Sequence, residues 1–183
     1  MLTALLLIDI QNDYFPGGTM ELARSEEAST CAKLLLDHFR RAEMPIVHIQ
    51  HLSTRPGATF FLPGTPGEEI HPSVQPLPHE EVIRKHFPNS FRGTPLLAHL
   101  RDAKIERLAI CGMMTHMCVD ATVRAAFDHG FECLIAGDAC ATRSLVYDGE
   151  TIPAACVHGA FLAALDGVYG KVLPTYEVIA ELG

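Results

Sequence analysis

The amino-acid sequence predicts an α/β protein with a three-layer α/β/α, Rossmann-like fold and a mostly parallel sheet of about six strands. Short, continuous apolar runs alternate along the chain with longer amphipathic stretches. Apolar runs without polar alternation are typical of strands that are buried on both faces, as in parallel sheets covered by helices. With 183 residues, we predict a single domain that spans residues 1–183.

The predicted elements follow one another in βα order. The run ALLLIDI at residues 4–10 predicts the first strand, and apolar residues at helical spacing predict a helix over residues 24–42. Further strands and helices are predicted at residues 46–49, 108–112, 115–129, 133–137 and 171–173, and from Thr175 onward. No G-x-G-x-x-G motif follows the first strand, so we expect neither a dinucleotide nor any other cofactor.

Composition and charge exclude several classes of protein. The net charge is −8 and the basic residues form no stripe, so we expect no nucleic-acid partner. The apolar stretch from Leu2 to Ile10 is too short to cross a bilayer and lacks the flanks of a secretion signal, so we expect no membrane association and a cytoplasmic location. The six cysteines include no C-x-x-C pair, so we expect reduced thiols.

Asp9 ends the first apolar run, where a buried carboxylate costs several kcal/mol unless it is paired or hydrogen-bonded. Ligands of parallel α/β proteins bind beyond the carboxyl ends of the strands, and Gln50, His51 and Lys85 occupy comparable positions. Two interpretations of Asp9 remain open. Its carboxylate caps the following turn, or it acts as a general acid or base beside a charged partner.

Cys118 has the most distinctive setting of the six cysteines. A predicted strand ends at Gly112, a tight turn follows, and Thr115 could cap the next helix, which places Cys118 in the first helical turn. There the helix dipole would favour a thiolate, and free backbone NH groups could bind an oxyanion. From this setting alone, a nucleophile and a buried structural cysteine are equally good interpretations.

Four segments of the sequence carry a resemblance to a known family. They are LLLIDIQNDYF (5–15), FFLPGTPGEEIHP (60–72), VIRKHFPNSF (82–91) and GMMTHMCVDATVRAAFDHG (112–130). The chain resembles the isochorismatase-like cysteine hydrolases over nearly its whole length. The resemblance implies a catalytic triad of Asp9, Lys85 and Cys118. It also implies a cis peptide bond between Met113 and Met114, and an oxyanion hole formed by the NH groups of Met114 and Cys118.

These residues predict hydrolysis of a carbon–nitrogen bond (amide, ureido or lactam) in a small molecule through a thioester on Cys118. Asp9 would take the thiol proton, and Lys85 would orient Asp9. By the same resemblance, enzymes that hydrolyse isochorismate itself lack the cysteine, so that reaction is not expected.

Three competing hypotheses remain open. A metal-assisted nicotinamidase would carry an Asp-x-His pair after the second strand, but His48 to His51 read HIQH and Phe60 stands where a further histidine is expected. We therefore predict no metal site. The second hypothesis is a catalytically silent binding protein. The third is a redox-sensing thiol protein, for which Cys111 is the nearest second cysteine in the sequence.

The substrate pocket is predicted from position along the chain only. By analogy with small-molecule sites, we expect aromatic walls and a few polar groups. The resemblance also implies a homo-oligomer, a dimer or tetramer. The candidate substrate-binding residues are Phe15, Gln50, His51, Phe60, Phe61, Ser90, Phe91 and Thr115.

Overall fold

The computed structural model describes residues 1–183 and contains eight strands and five α-helices. The strands are β1 (Thr3–Ile8), β2 (Ile46–His51), β3 (Glu81–Lys85), β4 (Arg107–Met113), β5 (Glu132–Ala141), β6 (Leu145–Tyr147), β7 (Glu150–Ile152) and β8 (Lys171–Leu173). The helices are α1 (Ser25–Arg41), α2 (Leu96–Asp102), α3 (Asp120–Asp128), α4 (Ala154–Leu165) and α5 (Thr175–Leu182).

Six of the strands form one parallel sheet in the order β3-β2-β1-β4-β5-β8, and β6 and β7 pair separately as an antiparallel hairpin. From β1 the chain adds β2 and β3 on one side and then returns to add β4, β5 and β8 on the other. The order of the strands across the sheet therefore reverses between β1 and β4. This arrangement is the doubly wound topology, in which the crevice at the carboxyl ends of the two central strands is the usual ligand site. The predicted Rossmann-like fold is confirmed.

The two faces of the sheet bury alternate side chains of the same strands. Leu5 and Leu7 of β1 pack with α1 and α5, whereas Leu6 and Ile8 pack with α2, α3 and α4. All four leucine and isoleucine side chains are almost completely buried, and each contributes about 1.5–3 kcal/mol of hydrophobic stabilisation. The continuous apolar run in β1 therefore follows from helices covering both faces.

Helix α1 combines a buried apolar stripe with charges that suit its ends. Ala28, Ala32 and Leu35 are among the residues of the stripe. Glu26 and Glu27 stand in the first turn, where negative charge is favoured by the helix dipole, and arginines stand in the last turn.

Some elements were not predicted from the sequence, and others have different bounds. Helix α2 has only seven residues, β3 is an edge strand with alternating exposure, and α4 has apolar residues on all sides. None of the three has an apolar periodicity in its sequence that predicts the element. Strand β5 extends to Ala141 rather than ending at Gly137, with an irregular register opposite β4. None of the helices combines the length and the apolar character needed to cross a bilayer.

Candidate functional site

The register of the sheet brings four strand ends to one edge. Ile8 pairs with Ile49 and with Gly112, and His51 pairs with Lys85. Asp9 follows β1 directly, so its side chain begins at the level where β2, β3 and β4 end. Parallel pairing of neighbouring strands thus places residues that are widely separated in sequence at one point.

Gly112 allows β4 to approach β1 closely at this edge. Its φ of +135° is uncommon for residues with a side chain, and a Cβ atom there would overlap the backbone of Ile8. The peptide bond between Met113 and Met114 is cis. The chain then enters a π-helical turn, Thr115–Val119, that leads into α3 and carries Cys118.

Asp9 and Lys85 form a buried ion pair at the centre of the site. Nζ of Lys85 lies 2.9 Å from Oδ2 of Asp9, and neither side chain is exposed. Nζ also donates a hydrogen bond to the carbonyl oxygen of Pro88 at 2.8 Å. Neither carboxylate oxygen of Asp9 accepts a well-aligned hydrogen bond, which excludes the turn-cap interpretation and leaves the ion pair as its main compensation.

The ion pair determines the charge state of both partners. Burial would raise the pKa of Asp9, but the Lys85 ammonium and then His51 outweigh it, so the pKa of Asp9 lies below its usual value. Burial would lower the pKa of Lys85, and the carboxylate of Asp9 raises it above its usual value. We conclude that both groups are ionised at neutral pH.

Cys118 lies beside this pair and is only 4% exposed. Burial, followed by the negative charge of Asp9, raises the pKa of the Cys118 thiol well above its usual value, and Lys85 offsets only part of this. The expectation that the helix dipole favours a thiolate is therefore wrong for the free protein, in which the thiol is neutral. The expected Thr115 cap is also wrong, because Met114 precedes the turn and no side chain caps it.

His51 completes the cluster. Its Nδ1 lies 3.9 Å from Sγ of Cys118 and 3.7 Å from Oδ2 of Asp9, and the ring is 14% exposed. The ring of Phe61, which is fully buried, lies 5.9 Å away between ring centroids. His48, three residues earlier, faces the other side of the sheet, where its Nε2 lies 2.9 Å from Oε2 of Glu80.

The ligand atoms of Asp9, His51 and Cys118 lie within 4.8 Å of one another, so these three residues could hold a metal ion. The ammonium of Lys85 already lies against the same carboxylate oxygen of Asp9. Its positive charge opposes a divalent cation at this position. The residues therefore fit a proton-transfer site better than a metal centre.

Gln11 and Asp13, which sequence reasoning missed, organise the surroundings of the site. The Gln11 side chain donates from Nε2 to the carbonyl oxygen of His51 at 2.9 Å and accepts at Oε1 from the NH group of His51 at 2.8 Å. Asp13 accepts at Oδ2 from the NH group of Phe61 at 2.6 Å. The run of three polar residues directly after the apolar first strand was the only indication of these roles.

The proline-rich segment at residues 53–78 is anchored against this polar run. Besides the Asp13 bond to Phe61, the Gln11 amide donates to the carbonyl oxygen of Glu68, and the side chain of Asn12 donates to that of Pro66. Gly67 lies so close to the Asp13 carboxylate that a Cβ atom would overlap it. The segment is therefore an ordered wall beside His51.

The structure brings only part of the predicted pocket to this cluster. His51 and Phe61 adjoin it, and Phe60 packs on Phe61 with ring centroids 5.0 Å apart. Gln50 uses its amide to bind the carbonyl oxygen of Glu68 and to accept from Arg84.

The remaining four candidates have their polar groups or rings engaged elsewhere. Phe15 stacks on His71, and Phe91 packs on His129 and Phe131. The hydroxyl of Ser90 pairs with that of Thr122, and the Thr115 hydroxyl donates to Ala141 and pairs with His158. The two phenylalanines therefore pack against other rings, and the two hydroxyls bind neighbouring polar groups. A residue's place in the sequence does not reveal such contacts.

Comparisons with known proteins identify the family of this chain. The family model described as "Isochorismatase domain" matches residues 3–160. The chain is 52% identical over 175 residues to the "Uncharacterized isochorismatase family protein YddQ" of Bacillus subtilis, covering 96% of this chain and 97% of that one. The crystal structure of a putative isochorismatase hydrolase from Oleispira antarctica superimposes with a TM-score of 0.94 at 50% identity, covering 98% of this chain and 96% of the other.

Two further relatives have named activities. The chain is 37% identical over 155 residues to the "Streptothricin hydrolase" of Streptomyces noursei, covering 83% of this chain but 60% of that protein. It is 27% identical over 160 residues to "Nicotinamidase 3" of Arabidopsis thaliana, covering 77% of this chain and 74% of that one.

Proposed function

This chain belongs to the isochorismatase family of hydrolases, and we propose that it cleaves a carbon–nitrogen bond of a small molecule through a thioester on Cys118. The substrate would be an amide, a ureido compound or a lactam. The observation that supports the proposal most directly is the cluster of Cys118, Asp9 and Lys85 at the carboxyl edge of the sheet. A nucleophile, a carboxylate and a buried cation within one cluster suit acyl transfer.

In the proposed reaction, Asp9 takes the thiol proton as the sulfur of Cys118 attacks the substrate carbonyl carbon, and Asp9 then passes that proton to the leaving nitrogen. The NH groups of Met114 and Cys118 would bind the oxyanion, as the family resemblance implies. Collapse of the tetrahedral intermediate expels ammonia or an amine and leaves a thioester, which water hydrolyses to the acid. Lys85 orients Asp9 and keeps it ionised, so that the carboxylate can accept a proton.

The proposed pocket contains fewer of the candidate residues than the sequence predicts. His51, Phe61 and Phe60 are the predicted pocket residues that lie at or beside the cluster. Aromatic walls with few polar groups favour a small, neutral amide over a highly charged substrate. The homology to a streptothricin hydrolase is consistent with a carbon–nitrogen substrate, but it does not select one.

A screen of small amides, ureides and lactams that follows release of ammonia or amine tests the proposal. The Cys118→Ala variant is the control. We expect at least one compound to be hydrolysed by the unaltered protein and not by the variant. Iodoacetamide labelling of the unaltered protein should include Cys118, identified by peptide mass spectrometry because Cys156 is exposed in both proteins. Full turnover by Cys118→Ala would contradict the proposal. Hydrolysis that requires an added metal would instead favour the nicotinamidase hypothesis, for which a relative exists.

We also propose that the chain forms a homo-oligomer, a dimer or tetramer. In the β6–β7 hairpin, Val146 and Tyr147 are 71% and 78% accessible. Helix α4, which follows in the sequence, contains no aspartate, glutamate, lysine or arginine, and His158 is its one titratable imidazole. A second copy of the chain would cover this apolar surface. Light scattering should give a mass of two or four chains, and Tyr147→Lys should lower it. The cytoplasmic location stays a prediction.

A further inference from the structure

Thr122 connects two parts of the chain that carry different members of the proposed catalytic cluster. One is the segment of residues 86–95, which begins directly after Lys85. The other is the helical unit formed by the π-helical turn and α3, in which Thr122 stands one turn after Cys118. The hydroxyl of Thr122 makes all three hydrogen bonds between the segment and the helical unit.

Two of these bonds join Thr122 to Ser90, and the third joins it to Pro88. The NH group of Ser90 donates to Oγ1 of Thr122 at 3.1 Å, and the two hydroxyl oxygens lie 2.9 Å apart. Oγ1 of Thr122 donates to the carbonyl oxygen of Pro88 at 3.4 Å. Ser90 and Thr122 are both fully buried, so each hydroxyl proton needs an acceptor inside the protein. Only one assignment provides both acceptors, in which Ser90 donates to Thr122 and Thr122 donates to Pro88.

The carbonyl oxygen of Pro88 is an acceptor that Thr122 shares with the ammonium of Lys85. Nζ of Lys85 donates to this oxygen at 2.8 Å and lies 2.9 Å from Oδ2 of Asp9. A lysine ammonium carries its donors at the end of a flexible stem, so the surrounding acceptors determine where it lies. A displacement of the Pro88 carbonyl would therefore displace the ammonium relative to Asp9.

The position of this ammonium matters for the reactivity of Cys118. Sγ of Cys118 lies within 4.8 Å of a carboxylate oxygen of Asp9, and Lys85 contacts the same carboxylate. A cation held this close favours the thiolate, and its effect weakens as the distance grows. Because Thr122 and Cys118 belong to one helical unit, the bond from Thr122 to the segment after Lys85 holds the sulfur and the ammonium in register.

We propose that Thr122 is a positioning residue that fixes the Lys85 ammonium relative to the Cys118 sulfur, an assignment that rests on the proposed function. It acts through the carbonyl oxygen of Pro88, which accepts from both Thr122 and Lys85. Ser90, a candidate substrate-binding residue in the sequence, supports this arrangement because its hydroxyl directs the Thr122 proton toward Pro88. None of these bonds involves the proposed pocket residues, so the Thr122 hydroxyl should affect the chemical step rather than the binding of substrate.

The test compares Thr122→Val with Thr122→Ser. Valine is similar in shape to threonine but lacks the hydroxyl, so it removes the bond to Pro88, whereas serine keeps the hydroxyl. Thr3→Val is the matched control. Thr3 is also buried and its hydroxyl accepts from Nε of Arg107 at 3.0 Å, but it begins β1, at the opposite end of that strand from Asp9. Both valine variants lose a buried hydrogen bond, so a general loss of stability would affect them alike.

The first readout needs no substrate. It is the rate at which iodoacetamide alkylates Cys118, followed by peptide mass spectrometry from about pH 6 to pH 10. Near pH 8 we expect Thr122→Val to react about three- to tenfold more slowly than the unaltered protein, because its thiolate is less stabilised. The deficit should shrink as the pH rises. Thr122→Ser and Thr3→Val should follow the pH profile of the unaltered protein.

Turnover provides the second readout once a substrate is known. Thr122→Val should lower kcat by about tenfold or more while KM stays within about twofold, and Thr122→Ser should restore most of kcat. If Thr122→Val does not fold, the double variant Ser90→Ala/Thr122→Val takes its place, because it removes the buried hydroxyl donor together with its acceptor.

An alkylation profile equal to that of the unaltered protein in the valine variant that folds, with native circular dichroism, would overturn the inference. An equal deficit in Thr3→Val would overturn it as well, because the effect would then follow stability rather than position. If no amide or ureide is hydrolysed but the alkylation profile still depends on the Thr122 hydroxyl, the proposed function fails and the positioning role of Thr122 stands.

Discussion

Nζ of Lys85 lies 2.9 Å from Oδ2 of Asp9, and water reaches neither side chain. Removal of one member of a buried ion pair leaves the other charge without compensation. Lys85→Met should therefore lower the free energy of unfolding at pH 7 by about 3–5 kcal/mol, measured by urea denaturation. The deficit should shrink as the pH falls, because Asp9 without its partner becomes protonated more readily.

A matched control for this variant is Lys33→Met. Lys33 pairs with Asp37 at the same distance, 2.9 Å, but its side chain is 51% exposed. An exposed pair contributes about 0–1 kcal/mol, so this change should be nearly neutral. Equal losses in the two lysine variants would show that burial of the Asp9 pair is energetically unimportant.

Gly112→Ala should destabilise the protein and abolish activity. A methyl group at this position meets the backbone of Ile8, which cannot move without displacing β1 and Asp9. We expect a loss of more than about 2 kcal/mol in thermal or urea unfolding. Gly159→Ala is the control, because the space around Gly159 is open and alanine favours a helix by about 0.5–1 kcal/mol. A stable, active Gly112→Ala protein would show that the close approach of β4 to β1 is dispensable.

Asp13→Ala should loosen the proline-rich wall while the sheet stays intact. The variant removes acceptors for the NH groups of Phe61 and Thr19, so both backbone donors lose their partner. Limited proteolysis should then cut residues 53–69 several times faster, and KM should rise more than kcat falls. Asp37→Ala, on the exposed face of α1, serves as the control. A cleavage rate equal to that of the control would mean that other bonds hold the segment.

Glu80→Gln should reveal a pH-dependent contribution to stability. Burial would raise the pKa of Glu80, but hydrogen bonds from Arg40, from the NH group of Leu77 and from His48 lower it to about 2. A lowered pKa stabilises the fold above pH 4.5, and this stabilisation is lost as the pH falls toward 2. The shift corresponds to on the order of 3 kcal/mol.

The measurement for Glu80 is urea unfolding at several pH values between 7 and 2. The difference between the unaltered protein and Glu80→Gln should be largest near neutrality and smallest at the acid end. Glu81→Gln changes the neighbouring, exposed carboxylate and should show no such trend. A difference that is independent of pH would indicate lost packing rather than a lost charge.

Dialysis against EDTA should leave the hydrolase activity unchanged. The only set of three closely spaced ligand residues includes Asp9, whose carboxylate already pairs with the Lys85 ammonium. The measurement is the initial rate before and after chelation, with added Zn²⁺ or Mn²⁺ as a further arm. Loss of activity that a metal restores would favour the nicotinamidase hypothesis.

The sequence predicted the fold well because the central strands are apolar throughout and buried on both faces. Their parallel pairing is what strands that alternate with helices in βαβ units adopt. The elements that were missed are short (β6, β7 and α2), lie at an edge (β3) or lack a polar face (α4), so their patterns do not distinguish them from loops or cores.

Position along the chain was a poorer guide to the site. It correctly indicated strand ends, because parallel strands bring their ends together. It could not reveal that Gln11 would bind the backbone of a residue forty positions away. Nor could it reveal that the hydroxyls of Ser90 and Thr115 would form hydrogen bonds with buried neighbours rather than face a substrate. The burial that raises the pKa of Cys118 likewise depends on packing from distant segments.

The double hydrogen bond from Gln11 reaches only main-chain atoms of residue 51, its NH group and its carbonyl oxygen. Any side chain could therefore be presented at that point with its backbone held in the same place. A substitution at position 51 should therefore remove the imidazole from beside Cys118 and Asp9 while the backbone at the end of β2 stays in place.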